Sequence, residues 1–211
     1  ALLSATASFA GPAAAGCADG TVVSSISFEG LEHTKPRVVE RELLNKVGEP
    51  FSAKNFETEK LRLQDLDLFT EVTVACDGGA LTYRFKEIFR WIPAPAGKKT
   101  DRDGLMLGLA LANLNVLGED IRAEVQYRTT VDPFFDKNEY AFYASSPYFL
   151  GFPLGWNFEF LVTDSYDNIR GFQENSILLD LDLDYKVLPH LSLLWTIAGR
   201  DLQDAAFLPG L

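Results

Sequence analysis

The residue types that most often carry chemistry are scarce in this chain of 211 residues. There are two cysteines, Cys17 and Cys76, and two histidines, His33 and His190. No Cys-x-x-Cys or His-x-x-x-His spacing is present, so we expect no metal site. Neither histidine shares a motif with a serine or cysteine nucleophile, and the sequence has no Gly-x-Ser-x-Gly, phosphate-loop or dinucleotide motif. We therefore expect a protein that is not an enzyme and needs no cofactor.

One acidic row stands out. Asp180, Asp182 and Asp184 alternate with apolar residues, so in a strand their side chains share one face at intervals of about 7 Å. Such a row could bind a cation, but it is also typical of a polar wall that faces water. We favour the polar wall, with Arg122 and Arg128 as counter-charges.

The cysteines and the first residues suggest export. Ala1 to Ala15 are small and apolar and end in three alanines, which resembles the cleavage region of a secretory signal peptide. We expect residues 1–20 to be a signal-peptide remnant, cut upstream, or an alanine-rich linker; lipid attachment at Cys17 is a weaker alternative. In an exported protein Cys17 and Cys76 can form a disulfide, although two free thiols also fit the sequence.

Composition excludes several classes of protein. The net charge of -11 argues against nucleic-acid binding, because that affinity depends on Lys and Arg neutralising phosphates. The 47% hydrophobic content argues against intrinsic disorder. No apolar run of about 18 residues is present for a membrane-spanning helix, but strands cross membranes without one.

Residues 21–88 predict a small α+β domain of order β-α-α-β-β. An extended run ends at Gly30. A helix begins with Thr34 as N-cap and Pro36 in its first turn, and the near-helical spacing of Val39, Leu43 and Val47 continues it until Gly48 ends it. A second helix begins at Ser52. Two alternating strands follow, joined by the turn Asp77-Gly78-Gly79.

The rest of the chain has a different pattern. Residues 89–103 contain Pro93, Pro95 and Gly97, which predicts a linker. Residues 104–211 then alternate apolar and polar side chains over about six strands. Several strands run about 9 to 12 residues, which suits a tilted membrane crossing, and aromatic residues gather toward strand ends. We therefore favour antiparallel strands of a transmembrane β-barrel over a soluble sheet.

The first domain resembles the polypeptide-transport-associated (POTRA) family. The resemblance rests on four segments in order: Ile26-x-Phe28-x-Gly30, Thr34-x-x-x-Val38-Val39-x-x-x-Leu43, Gly48-x-Pro50-Phe51 and Leu63-x-x-Leu66-x-Leu68-Phe69-x-x-Val72-x-Val74. Asp67 stands where the family often has Gly, and Asp tolerates the left-handed conformation that this turn needs. The resemblance implies a periplasmic domain that binds unfolded clients by strand addition, or one that spaces or docks partner subunits.

The second region resembles the barrel of the BamA/TamA-type outer-membrane assembly family. The segment Gly104-x-x-x-Gly108-x-x-x-x-Asn113-x-Asn115-x-x-Gly118 is similar to the first barrel hairpin after the last POTRA domain, and Ser146-Pro147-Tyr148-Phe149-Leu150-Gly151 is similar to a later Asp-Pro-x-x-x-Gly turn. The family's closed barrel has many more strands. We therefore expect residues 104–211 to be the N-terminal part of a barrel cut at its C-terminus.

The resemblance implies assembly or translocation of polypeptides at the outer membrane of a Gram-negative-type bacterium. The partners implied are outer-membrane lipid, unfolded client chains and periplasmic or lipoprotein subunits, and no nucleic acid. Residues 105–115 are expected to form the first barrel strand and one side of a seam for client strands, at Leu105, Leu107, Gly108, Leu109, Ala110 and Leu111. The residues expected to line the lumen are Arg122, Glu124, Arg128, Asp180, Asp182 and Asp184. A two-partner secretion transporter and a soluble β-rich binding module are the alternatives.

Overall fold

The structure, a computed structural model, describes residues 17–100, 104–131, 135–167, 172–188 and 191–205. Most of the predicted signal-peptide remnant, residues 1–16, lies outside the described residues, as does His190. The chain divides into two compact units, Ala1–Ile88 and Phe89–Leu211, which we call unit 1 and unit 2.

Unit 1 has the predicted order β-α-α-β-β. Its elements are β1 (Ser25–Glu29), α1 (Pro36–Glu40), α2 (Ala53–Asp65), β2 (Phe69–Asp77) and β3 (Ala80–Glu87). The sheet order is β1-β3-β2, with β1 parallel to β3 and β2 antiparallel to it. The predicted α+β fold of this region is thus confirmed.

The core of unit 1 forms where α2 covers the sheet. Phe56, Glu59 and Leu63 are buried at helical spacing along α2. The buried sheet residues alternate along β2 and β3, at Val72, Val74, Cys76, Leu81, Tyr83 and Phe85. Ser52 caps α2 as predicted, because its hydroxyl accepts a hydrogen bond from the Asn55 N–H at 3.4 Å.

Helix α1 differs from the prediction at both ends. Its N-cap is Lys35, not Thr34, because a residue before proline is kept out of the helical region and Lys35 is extended, with φ -72° and ψ 140°. The helix ends at Glu40, and the apolar spacing that continues to Val47 misled the prediction. The N–H groups of Leu44 and Asn45 bind the carboxylate of Glu59, so they are not available to extend the helix.

Two turns require positive φ. Asp67 has φ 55°, as expected from its place in the POTRA-like pattern. Gly78 and Gly79 have φ 54° and 92° in the turn between β2 and β3. A Cβ at position 79 would also overlap the carbonyl oxygen of Val22.

Unit 2 is a seven-stranded antiparallel sheet in chain order. Its strands are β4 (Trp91–Thr100), β5 (Gly104–Val116), β6 (Ile121–Thr130), β7 (Phe135–Ser146), β8 (Leu154–Asp167), β9 (Phe172–Leu188) and β10 (Leu191–Ala205). Within the described parts of the chain the sheet does not close, and β4 and β10 lie at its two edges. This agrees with the predicted antiparallel, incomplete barrel.

The expected linker at residues 89–103 is largely a strand, which raises the strand number from about six to seven. The Leu114 N–H donates to the Arg90 carbonyl at 3.0 Å, so even-numbered residues of β4 direct their backbone groups toward β5. Pro93 and Pro95 are odd-numbered, and their missing N–H groups would point to the free edge. Proline is tolerated at such edge positions, where no ladder bond is lost.

The two faces of unit 2 differ in composition. The face that we call the outer face carries large apolar side chains, including Leu105, Leu107, Leu109, Val125, Tyr127, Tyr140, Ile177, Leu179, Trp195 and Ile197, all of them exposed. Aromatic pairs join neighbouring strands, with ring centroids 5.2 Å apart for Tyr127 and Tyr140 and 6.1 Å for Phe142 and Phe158. The opposite, inner face carries most of the charges. No helix in the described part of the chain is both long and apolar enough to span a membrane.

Candidate functional site

Unit 1 presents two edge strands. Strand β2 has nine residues and β1 has five, and within the described residues each pairs only with β3. Unpaired backbone groups at an edge can bind an extended peptide whatever its side chains are. The longer edge, β2, is therefore the better candidate in unit 1 for strand addition.

A disulfide and hydrogen bonds attach residues 17–20, at the start of unit 1, to β2 and to the start of α2. Cys17 and Cys76 form a disulfide, with Cα atoms 5.4 Å apart, so the structure brings together the two predicted cysteines. Asp19 accepts a hydrogen bond from the Ala53 N–H at 2.7 Å at the start of α2, and the Gly20 N–H donates to the Phe51 carbonyl at 2.9 Å.

A buried carboxylate, Glu59, organises the centre of unit 1. Its side chain accepts hydrogen bonds from the Leu44 N–H at 2.6 Å, from the Asn45 N–H, and from the Tyr83 hydroxyl at 2.7 Å. Burial, together with this hydrogen bond and the nearby negative charge, raises the pKa of Tyr83. Sequence reasoning missed Glu59. Its position between Phe56 and Leu63 at helical spacing on the apolar face of α2 could have predicted that Glu59 is buried.

A second carboxylate lies at the end of β3, close in sequence to unit 2. Glu87 accepts hydrogen bonds from the Thr34 N–H at 2.8 Å and the His33 N–H at 3.1 Å, and His33 Nδ1 lies 3.3 Å away. Partial burial opposes ionisation, but these hydrogen bonds outweigh it and lower the pKa of Glu87. His33 and Thr34 thus attach the segment before α1 to the end of β3 through Glu87.

The six residues predicted to line a lumen share the inner face of unit 2. Glu124 pairs across strands with Tyr143, Tyr143 with Glu159, and Glu159 with Asp180. A cavity of about 410 Å³ lies along this row, and its lining also includes Arg122 and Asp182. Thr196 donates a hydrogen bond to Asp182 at 2.5 Å. These carboxylates form an acidic zone on the inner face, at the end of the sheet where β4 begins.

The predicted counter-charge Arg128 belongs to a different cluster. Glu139, whose side chain is 2% exposed, lies 3.0 Å from Arg128, 3.2 Å from Lys98 and 3.4 Å from Lys137. Lys98 is on β4 and Glu139 on β7, and in a flat sheet these strands would lie about 14 Å apart. The sheet therefore curls toward its inner face. Sequence reasoning did not single out Lys98 or Glu139.

The residues predicted to form a client seam are not at an edge. Leu105, Leu107, Leu109 and Leu111 lie on the outer face of β5, and Gly108 and Ala110 lie on its inner face. Strand β5 has β4 on one side and β6 on the other, so its backbone groups are already paired. Strand β4 occupies the edge position instead, because the expected linker folds as a strand.

The described residues contain no group of three or more His, Cys, Asp or Glu side chains placed to hold a metal ion. In the part of the chain that the structure describes, both units have strands that pair on one side only. The chemistry that this arrangement supports is backbone pairing, with an apolar surface and a charged surface on opposite sides of the second sheet.

Comparisons with known proteins agree with this geometry. Residues 21–87 match the POTRA family, described as a surface antigen variable number repeat. The crystal structure of BamA from Haemophilus ducreyi lacking POTRA domains 1-3 is similar, with a TM-score of 0.67 and 17% identity over 85% of this chain and 35% of that chain. No curated protein matches.

Two structures of CdiB are also similar in fold. The protein from Acinetobacter baumannii has a TM-score of 0.56 and 12% identity over 89% of this chain and 40% of its own. The protein from Escherichia coli has a TM-score of 0.57 and 15% identity over 88% of this chain and 38% of its own. The chain thus spans well under half the length of the structures it matches. Residues 21–87 thus match the POTRA family, and the chain, including the antiparallel strands after these residues, is similar in fold to the BamA structure.

Proposed function

We propose that the protein containing this chain inserts or translocates polypeptides at the bacterial outer membrane. The observation that carries the proposal is the joining of a POTRA domain to an amphipathic, curled sheet with an edge strand. In this proposal unit 1 is in the periplasm, and unit 2 is in the outer membrane with its outer face against lipid.

The outer face supports contact with lipid. Leu109, in the middle of β5, is 73% exposed, and its outer-face neighbours are also large and apolar. Burying these side chains in hydrocarbon is favourable, whereas water would solvate them poorly. The inner face, with its acidic zone and the Glu139 cluster, suits a water-filled interior.

The free edges support the handling of client chains. An unfolded client exposes backbone N–H and C=O groups, and pairing with β2 in unit 1 satisfies them independently of sequence. The described sheet of unit 2 has two edges, β4 and β10, and this proposal places the client at β4, the edge strand that follows unit 1 in the chain. The seam first expected at residues 105–115 therefore moves one strand toward the N-terminus in this proposal.

Reconstitution tests the proposal. The full-length protein in lipid vesicles is mixed with a urea-unfolded outer-membrane protein, and folding is followed by the shift of the client's electrophoretic mobility before heating. We expect faster client folding than in empty vesicles, and a loss of that acceleration when residues 21–87 are deleted. Equal rates in loaded and empty vesicles would rule out insertase activity.

A second candidate is transport of a secreted polypeptide in a two-partner system, favoured by the likeness to the CdiB structures. The same vesicles distinguish the two functions. A translocated client becomes resistant to added protease without entering the bilayer, whereas an inserted client is extracted only by detergent.

The remaining alternative, a soluble binding module, differs from the first two in its solubility without detergent. It requires the full-length protein to stay in solution without detergent and to be absent from membrane fractions.

A further inference from the structure

Among the described residues β4 pairs only with β5, and its other edge does not offer the same hydrogen-bonding groups along its length. Odd-numbered residues point their backbone groups away from β5, as the bond from the Leu114 N–H to the Arg90 carbonyl establishes. Residues 91–96, the near half, therefore present carbonyls at 91, 93 and 95 but an N–H only at Trp91. Residues 97–100, the far half, present both groups at Gly97 and Lys99.

A second observation separates the same two halves. On the inner face Lys98 lies 3.2 Å from the buried carboxylate of Glu139 on β7, which ties the far half to the sheet interior. The inner-face residues of the near half are Ile92, Ala94 and Ala96, whose side chains have no polar group. The near half therefore has no inner-face side chain that could form an ion pair of this kind.

We propose that Pro93 and Pro95 divide the β4 edge into a far half that pairs with an incoming client strand and a near half that stays open. This inference rests on the proposed function and names the part of the edge that receives the client. A strand laid along residues 91–96 would place carbonyls opposite two nitrogens that carry no hydrogen. In a membrane such unpaired carbonyls are costly, so pairing concentrates at Gly97 and Lys99.

The chemistry of the edge identifies the occupant as an extended strand with alternating apolar and polar residues. Beside β4, the neighbouring strand β5 has leucines on the outer face and small residues such as Gly108 and Ala110 on the inner face, and an added strand continues this pattern. A second copy of β4 fits poorly. Its own prolines would set carbonyls against carbonyls across the near half.

Cysteine capture in the full-length protein tests the proposal. Trp91→Cys reports on the near half and Lys99→Cys on the far half; both positions share the outer face, and neither is a proline. The client is an outer-membrane protein with single cysteines along its last strand, and a short bis-maleimide joins the two chains in vesicles. We expect the yield at position 99 to exceed that at position 91 about tenfold, the effect of two missing hydrogen bonds.

Restoring the donors gives the decisive comparison. In the background Pro93→Ala with Pro95→Ala, we expect capture at position 91 to rise to within about twofold of that at position 99. Pro153→Ala, in the turn before β8, removes a proline elsewhere in unit 2 and should leave the wild-type ratio unchanged. If the double variant does not assemble, the single variants Pro93→Ala and Pro95→Ala each restore one donor and should give intermediate ratios.

Equal capture at both positions in the wild type, or a ratio that the alanine substitutions leave unchanged, would overturn the role of the prolines while leaving client handling intact. Capture at neither position, in vesicles where the client still folds faster, would also overturn it. Capture at neither position without accelerated folding would remove the proposed function as well.

Discussion

At the scale of single residues, two buried carboxylates make the most specific contacts. Glu59 joins three parts of unit 1, since its donors come from the segment after α1 and from β3. Glu139 draws three cationic side chains from β4, β6 and β7 onto one inner-face position. In both cases a carboxyl side chain is buried, and its partners link neighbouring elements.

Replacement of Glu59 by alanine should destabilise unit 1 strongly. Two backbone N–H groups and the Tyr83 hydroxyl would lose their acceptor, and the helix would leave a cavity against the sheet. We expect a loss of about 3–5 kcal/mol in the free energy of unfolding, measured by urea titration of a fragment of residues 17–88 with circular dichroism. Tyr83→Phe, which removes one donor, should cost only about 1 kcal/mol. Equal losses in the two variants would contradict a central role for Glu59.

The Glu87 carboxylate should make the stability of unit 1 depend on pH. Its pKa is lowered in the folded state from the ordinary value of 4.5, so the stabilisation is present above about pH 4.5 and is lost as pH falls through the folded-state pKa. We expect the Glu87→Gln fragment to be less stable than wild type at pH 7 and the difference to shrink on acidification toward pH 3. A difference that does not vary with pH would show that the charge of Glu87 contributes nothing.

At the scale of elements, β4 shows how a composition signal can mislead. Two prolines and a glycine within ten residues usually mark a loop. The strand forms because the prolines fall in the register where their nitrogens point away from β5. Sequence alone does not give this register, since it depends on how β5 pairs with β4. In unit 1, by contrast, the strand and helix order followed from periodicity, because α2 and the β2–β3 hairpin bury one regular face each.

Strand β5 also requires a glycine at a defined position. A Cβ at Gly108 would overlap the carbonyl oxygen of Tyr127 and come within 2.8 Å of the Arg128 Cα on β6. Gly108→Ala should therefore push β5 from β6 and cost about 1–3 kcal/mol. The measurement is the fraction of full-length protein that keeps its folded electrophoretic mobility after mild heating.

Gly199→Ala in β10 is the matched control, because nothing lies within 4 Å of the added carbon. It should leave the folded fraction unchanged. Equal folded fractions for the two alanine variants would show that the closeness of β5 and β6 does not prevent a larger side chain at position 108.

At the scale of the whole molecule, unit 2 separates its apolar and charged residues onto opposite faces of one sheet. Arginine at position 109, on the outer face in the middle of β5, should cost about 2–4 kcal/mol in a bilayer. Gln126→Arg places the same side chain on the inner face of the neighbouring strand β6 and should cost little. Folding of both variants into vesicles, followed by urea titration, measures the difference. Equal tolerance at the two positions would contradict contact between the outer face and lipid.

The sequence by itself determined the β-α-α-β-β order, the left-handed turn at Asp67 and the alternation of residues in unit 2. These features depend on residues close together in the chain, where periodicity and turn chemistry act directly. It also allowed the pairing of Cys17 with Cys76 without establishing it.

The tertiary structure decided which strand lies at the edge, how the charges are grouped and where helix α1 ends. Each of these depends on contacts between residues distant in sequence: β4 with β5, Lys98 with Glu139, and Glu59 with the N–H groups of Leu44 and Asn45. An alternating pattern states that a strand has two faces, but the hydrogen-bond register between strands determines which backbone groups are left free. The sequence alone therefore could not predict that the candidate seam lies in β4, because this depends on the pairing of β4 with β5.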